Sequence, residues 1–406
     1  MLDTELAPWP SFTQEEIDAV SCVLASNRVN YWTGEETRRF EEEFAAAVGC
    51  AHAVAVANGT LALDLALKGL QIGPGDEVIV PARSFIACAS CVVAAGAAPV
   101  FADVDPHSGN LSKATIEAVV TPRTKAIIAV HLAGWPCDMD AIMALAREQG
   151  LLVIEDCAQA HGALYKGRSV GSIGHVGAWS FCQDKIMSTG GEGGMVTTND
   201  PALWSRMWSH KEHGKSWQAV HERHHPPGYR WLHESFGTNW RMTEMQAAIG
   251  RIQLRRLPTW SADRAANARA LERTLEPYAH PNGPIKAPVK ARCDSPACND
   301  ESCCRHAYYK YYAYVDTDGL RPGYDRDEII ADIVDQGIPC DQGTCAEVYR
   351  ERAFADTPWL PSQRLPVAQR LGESSLMFLV HPTLTEEDMR RTCAALGNTL
   401  AKCTIG

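Results

Sequence analysis

The chain has 406 residues, 46% of them hydrophobic and 21% charged, with a formal net charge of -11. That length exceeds one compact core, so two domains are expected, and the acidic balance excludes the clustered Lys and Arg that nucleic acid demands. No run approaches ~20 uninterrupted apolar residues, so no membrane span is expected, and the start Met1-Leu-Asp-Thr-Glu lacks signal-peptide character, which points to the cytoplasm.

Short apolar runs and helical patterns then alternate. Ala51–Ala57, Glu77–Val80, Ala98–Phe101, Ala126–Val130, Leu151–Glu155, Ala178–Phe181 and Gly194–Thr198 read as seven strands. They are continuously apolar rather than alternating, as expected when helices cover both faces of a sheet. Helices are expected over Leu61–Leu70, Phe85–Ala95, Ser112–Val119 and Met139–Gln149. The class is therefore α/β, with a mostly parallel, mixed seven-stranded sheet in a large domain of residues 1–257. Beyond a His-, Trp- and Pro-rich stretch from Trp208 to Trp240, a helix is expected from Thr243, its N-cap, to about Leu257. A long helix, a cysteine loop, an aromatic strand over Ala307–Val315 and helices near Asp325–Gln336 and Thr385–Lys402 make a smaller α+β domain of residues 258–406.

Fifteen cysteines are mostly single residues in apolar runs, read as buried thiols. Cys293, Cys298, Cys303 and Cys304 cluster, but without paired C-x-x-C spacing, and are read as incidental thiols of a surface loop rather than a metal site. His221-x-x-His224-His225 is read as part of a mobile loop over the active site rather than as metal ligands. No metal is expected.

Two residues carry the chemistry. Asp156 ends the strand in Val153-Ile-Glu-Asp, and Lys185 follows in a small-residue loop, Ser180-Phe-Cys-Gln-Asp-Lys. In open parallel sheets, ligands bind beyond the carboxyl ends of strands, where Asp156 falls. A lysine amine forms a Schiff base with pyridoxal 5′-phosphate (PLP), and a carboxylate keeps the ring nitrogen protonated, so the pair suits that cofactor. Asn58-Gly59-Thr60 opens a helix, where free N–H groups favour a phosphate, although an ordinary N-cap reads the same way. Phe85 could stack on an aromatic ring or simply fill the core, and Gln159 and His161 follow Asp156 closely enough to touch one.

The ordered motifs Asn58-Gly-Thr, Pro81-Ala-x-Ser-Phe, Asp103-Val-Asp, Val130-His-Leu-x-Gly, Glu155-Asp-x-Ala-Gln-Ala-His-Gly, Ser180-Phe-x-x-x-Lys, Gly191-Glu-Gly-Gly and Asn239-Trp-Arg-Met-Thr-Glu resemble the DegT/DnrJ/EryC1/StrS family. These are sugar aminotransferases of the PLP fold type I superfamily. The resemblance implies that Lys185 holds the cofactor covalently and that Asp156 partners its ring nitrogen. It implies that Gln159 contacts the ring or its 3′-oxygen, that Phe85 stacks on it, and that Gly59, Thr60 and Ser180 bind its phosphate. Asn239 would reach the phosphate of a neighbouring subunit, which implies a homodimer with shared active sites. The implied reaction is ping-pong transfer from glutamate or glutamine to a keto-sugar, nucleotide-linked or free, or to a keto-cyclitol. Arg230, Arg241 and His306 are candidates to meet a diphosphate. Relatives with histidine at the lysine position deoxygenate instead, so Lys185 favours amino transfer over dehydration. A non-catalytic PLP-binding regulator is the remaining reading, against which no basic extension or helix-turn-helix is visible.

Overall fold

The computed structural model describes residues 6–286 and 303–405. Two helices, α1 (Gln14–Ser26) and α2 (Glu36–Val48), precede β1 (His52–Val56). Then come α3 (Gly59–Gly69), β2 (Glu77–Pro81), α4 (Ala87–Ala94), β3 (Ala98–Ala102), α5 (Lys113–Glu117), β4 (Thr124–Val130), α6 (Met139–Gln149) and β5 (Leu152–Asp156). A two-stranded ribbon, β6 (Leu164–Tyr165) and β7 (Arg168–Ser169), leads to β8 (Val176–Ser180) and β9 (Gly194–Thr198). The main sheet has seven strands in the order β1-β9-β8-β5-β4-β2-β3. Only β9 runs antiparallel to its neighbours, so the expected mostly parallel, mixed sheet is observed.

The apolar runs have a direct packing cause. Along β4, Ala126, Ile128 and Val130 enter a core shared with α3 and α4, whereas Ile127 and Ala129 enter the core beneath α6. Both faces are dry, so neither admits polar residues. The core against α2 holds Phe40, Phe44, Trp179 and Phe181, with ring centroids 5.2–5.8 Å apart.

After α7 (Pro201–Lys211) and α8 (Trp217–His221), α9 runs without interruption from Glu244 to Leu275. Thr243 caps it as expected, in a reciprocal arrangement with Gln246. The expected stop at Leu257 is not observed. Pro258 lies within the helix on its exposed face, where water can meet the carbonyl that the missing N–H leaves without a donor. Residues 257 and 258, where the sequence divides the chain, thus sit inside one helix. Its start packs in the Phe40 core, and Ala268, Leu271 and Leu275 enter a separate core.

That second core belongs to a four-stranded sheet, β10 (Ile285–Lys286), β11 (Tyr311–Val315), β12 (Cys340–Asp341) and β13 (Ser375–Phe378), in the order β10-β11-β13-β12. Helices α10 (Arg326–Val334), α11 (Pro366–Ser374) and α12 (Glu386–Cys403) complete this part. The aromatic strand begins only at Tyr311, because Tyr308 adopts a positive φ of 49° that an extended strand cannot continue through. Cys293 and Cys298 lie outside the described residues; Cys303 is disulfide-bonded, a departure from the expected thiols, and the Cys304 sulfur, outside any disulfide, accepts from the Lys166 N–H at 3.3 Å. Among the described residues no helix is long and apolar enough to cross a membrane.

Two motif carboxylates serve the frame. Glu244 is fully buried and accepts from the Glu36 N–H at 2.6 Å, the Thr37 N–H at 3.2 Å and the Thr37 hydroxyl at 2.6 Å. It places an anion at the N-terminus of α2. A Cβ on Gly34 would lie 2.2 Å from Glu244 Oε2, which explains the glycine. Asp103 does the same for α11, accepting from Val367 at 2.9 Å and Ala368 at 2.8 Å. Replacing Glu244 with Ala should lower unfolding stability by about 1–3 kcal/mol through the orphaned donors of α2. Equilibrium urea unfolding checks this, and an unmoved midpoint would contradict it.

Candidate active site

Four residues at or just past strand ends converge on one cavity of about 720 Å³: Asp156 closing β5, Ser180 closing β8, and Asn58 and Gly59 beyond β1. Asn58 caps α3, its side chain accepting from the Leu61 N–H at 3.0 Å. Gly59 approaches β8 so closely that a Cβ there would lie 2.4 Å from Ser180 Cβ. Gly194 meets the same turn, and its Cβ would sit 2.2 Å from the Asn58 carbonyl oxygen. These two glycines leave a backbone-lined hollow at a helix N-terminus, beside the exposed Thr60 and the Ser180 hydroxyl.

Asp156 is buried, and its carboxylate accepts from the Ala158 N–H at 3.0 Å. Burial pushes its carboxyl above the usual range, while that N–H and the Lys185 ammonium pull it down. Its strand neighbour Glu155 faces away and is bound tightly. It accepts from the Gly171, Ile173 and Gly174 N–H groups at 2.6–2.9 Å and lies 3.0 Å from His131 Nε2. Cys137 N–H donates to His131 Nδ1 at 3.0 Å, so the ring proton sits on Nε2 and goes to Glu155. Burial acts to raise the Glu155 carboxyl, but His131 and the three N–H groups outweigh it and hold it low. His131, Glu155 and Cys157 bring ligand-type atoms within 4.8 Å of one another, yet hydrogen bonds already account for the imidazole and the carboxylate. They brace the strand that presents Asp156.

Lys185 extends into the cavity from the loop after β8, its side chain 18% exposed. Its own N–H donates to Cys182 O at 3.0 Å, and its carbonyl accepts from the Trp9 indole at 2.8 Å. Phe85 lies just before α4 rather than within it, and is 65% exposed where it lines the cavity. Gln159 also lines it; its side-chain oxygen accepts from the Ala133 N–H at 2.7 Å, which turns the amide. This donor set fits a phosphorylated heteroaromatic aldehyde: a hollow for the phosphate, an apolar ring face, a buried carboxylate for a ring nitrogen, and an amine.

The chain also matches proteins already described. The model of the DegT/DnrJ/EryC1/StrS aminotransferase family covers residues 10–397. GDP-perosamine synthase of Caulobacter vibrioides is 39% identical over 361 residues, 89% of each chain. UDP-N-acetyl-3-dehydro-alpha-D-glucosamine 3-aminotransferase of Acidithiobacillus ferrooxidans is 38% identical over 367 residues, 90% of this chain and 89% of that one. The X-ray structure of an aminotransferase from Psychrobacter cryohalolentis superposes with a TM-score of 0.94 at 59% identity, covering 98% of this chain and 99% of that one. The chain belongs to the DegT/DnrJ/EryC1/StrS aminotransferase family. It is a PLP-dependent aminotransferase.

Other candidates fall elsewhere. Asn239 is exposed and does not line the cavity of its own chain. Arg241 is taken up by Glu212 at 2.8 Å, so its charge is not free for a diphosphate. His306 stacks on Tyr308 at 4.1 Å, accepts from the Tyr308 N–H at 2.8 Å, and burial holds it down to about 3, which leaves it neutral. His161 is buried against Trp179 and Phe181 and likewise held down to about 3. In the histidine stretch, the His221 ring packs tilted against Trp217 at 4.0 Å and His225 Nε2 lies 2.6 Å from the Ala219 carbonyl oxygen; neither lines the cavity. The sequence reading missed the opposite wall, built by Tyr309, Lys310, Tyr312, Asp341, Thr344 and Met377. The one available signal was Lys310, a cation set within an aromatic run; burial lowers its amine to about 8.

Gly59→Ala should weaken cofactor binding about tenfold or more, roughly 1.4 kcal/mol, because the added methyl drives α3 away from Ser180. Titrating cofactor-free protein with PLP and following the visible absorbance tests this; an unchanged dissociation constant would contradict the assignment of the hollow.

Proposed function

We propose that this protein moves an amino group from glutamate or glutamine to the keto carbon of a nucleotide-linked sugar, with Lys185 and Asp156 as the catalytic pair. The observation that carries the proposal is the pairing itself: a buried carboxylate at the end of β5 and a lysine amine open into one cavity. Two relatives spanning about nine-tenths of the chain carry GDP- and UDP-sugars in their names, which supports a nucleotide-linked acceptor over a keto-cyclitol.

When bound, PLP supplies an electron sink for the carbon bearing the transferred nitrogen. Asp156 would hold a proton at the ring nitrogen, since a cation beside it relieves the unfavourable burial of its charge. Lys185 Nζ would take the proton from the donor Cα as general base and return it as general acid. The N–H groups of Gly59 and Thr60 and the Ser180 hydroxyl would hold the phosphate, Phe85 would stack on the ring, and Gln159 would meet the ring or its 3′-oxygen.

The assembly proposed is a homodimer in which Asn239 completes the partner's phosphate site. Its exposure supports this, as does the aromatic segment before it, where Tyr229, Trp231 and Phe236 are 75%, 80% and 101% exposed. In this reading residues 1–257 bind the cofactor and residues 258–406 close the cavity, a division supported by the separate core that the four-stranded sheet builds. The proposed compartment is the cytoplasm, supported by twelve free thiols among the described residues.

Lys185→Ala should abolish both turnover and the visible band of the lysine-bound cofactor; a variant that keeps both refutes the assignment. Asp156→Ala should lower kcat about 100- to 1,000-fold with the fold intact. The acceptor is tested by offering GDP-, UDP- and dTDP-linked keto-sugars and an inosose to the donor-treated enzyme. Return of the visible band with a nucleotide-linked sugar supports the proposal, and return with the inosose alone contradicts it.

A further inference from the structure

Asp184 immediately precedes Lys185, and neighbouring side chains in a loop normally diverge. Here they converge. The Lys185 ammonium lies 3.3 Å from Asp184 Oδ2 and 3.4 Å from the Tyr309 hydroxyl, and 4.9 Å above the Tyr309 ring. The Tyr309 hydroxyl itself donates to Asp184 Oδ2, which closes a three-membered ring of contacts. Tyr309 comes from the opposite wall and is firmly held. Its N–H donates to Ala133 O at 2.9 Å, and its carbonyl accepts from the buried Arg264 at 3.3 Å. Asp184 by contrast is half exposed, so Tyr309 is what fixes the carboxylate toward the amine. Burial acts to raise the Asp184 carboxyl, but Lys185 and the Tyr309 hydroxyl outweigh it and keep it ionised.

We propose that Asp184 and Tyr309 are positioning residues for Lys185, docking its amine as an ammonium whenever it is not joined to the cofactor. The inference rests on the reading of Lys185 as the catalytic lysine. In the structure the amine meets the carboxylate of Asp184 and both the hydroxyl and the ring face of Tyr309. A carboxylate and a hydroxyl at these distances interact more favourably with an ammonium than with a neutral amine. Of the other groups facing Lys185, Asp156 acts in the same direction, Lys310 opposes, His161 is neutral, and burial keeps the Cys182 thiol protonated. Substitution at 184 or 309 leaves all four side chains in place; removing the Asp184 charge also lowers the Lys310 amine, so Tyr309→Phe, which keeps that charge, is the cleaner comparison.

The test uses the full chain without cofactor. The pH dependence of Lys185 acylation by acetic anhydride is read from the modified peptide by mass spectrometry. Asp184→Asn should shift the labelling curve to lower pH, so that below its midpoint Lys185 is acylated about tenfold faster than in the wild type. Tyr309→Phe should move it the same way by less, and Asp184→Glu should restore part of it. In the loaded enzyme, the acid limb of the kcat profile should move to lower pH by the same amount in Asp184→Asn, because Lys185 must be unprotonated to act as base. Unaltered labelling profiles in both Asp184→Asn and Tyr309→Phe would overturn the proposal. If Asp184→Asn does not fold by circular dichroism, Tyr309→Phe, which deletes one oxygen, decides alone. Because labelling needs no cofactor, a wrong assignment of Lys185 is distinguishable: it shows as a visible band that survives Lys185→Ala.

Discussion

Burying Asp156 at the carboxyl end of β5 takes a carboxylate out of water, and its charge is tolerable only beside a cation. In the structure the Lys185 ammonium provides part of that compensation; a protonated ring nitrogen would provide the rest. The same desolvation makes the site a good place for an electron sink, because any charge placed there interacts strongly in a medium of low dielectric. The requirement for a cation opposite Asp156 is therefore the constraint that the surrounding structure serves.

Much of the fold can be read as support for that one position. Glu155 anchors β5 through His131 and three backbone N–H groups, so the strand cannot rotate Asp156 out of place. Gly59 lets the start of α3 approach β8, and Gly194 lets Asn58 approach β9, which together shape the hollow beside Ser180. Glu244 fastens α9 to α2, and α9 carries the second core, whose sheet supplies Tyr312 and Met377 to the far wall. Hydrogen bonds that look remote from the chemistry thus determine where the two walls meet.

The main sheet was legible because parallel strands covered on both faces must be apolar at every position, as β4 illustrates. Asp156, Ser180, Gly59 and Thr60 were legible as cavity residues because each sits at a strand end or helix start, and Phe85, Gln159 and Lys185 because they lie a few residues from one. The path of α9 was not, since Pro258 is a breaker locally and is tolerated only because its face is exposed. The far wall was not legible either. Tyr312, Asp341 and Met377 reach the cavity through the pairing of β11, β12 and β13, a tertiary fact with no local signature. Charge misled in the other direction: Arg241 and His306 look like phosphate ligands in the sequence, but Glu212 occupies one and burial neutralises the other.

The account stands on a covalent bond between Lys185 and the cofactor. Borohydride reduction of the loaded protein would fix such a bond irreversibly, and peptide mapping by mass spectrometry would locate it. The account predicts a pyridoxyl group on the peptide containing Lys185. A label on Lys310 or any other lysine, or no label at all, would contradict it.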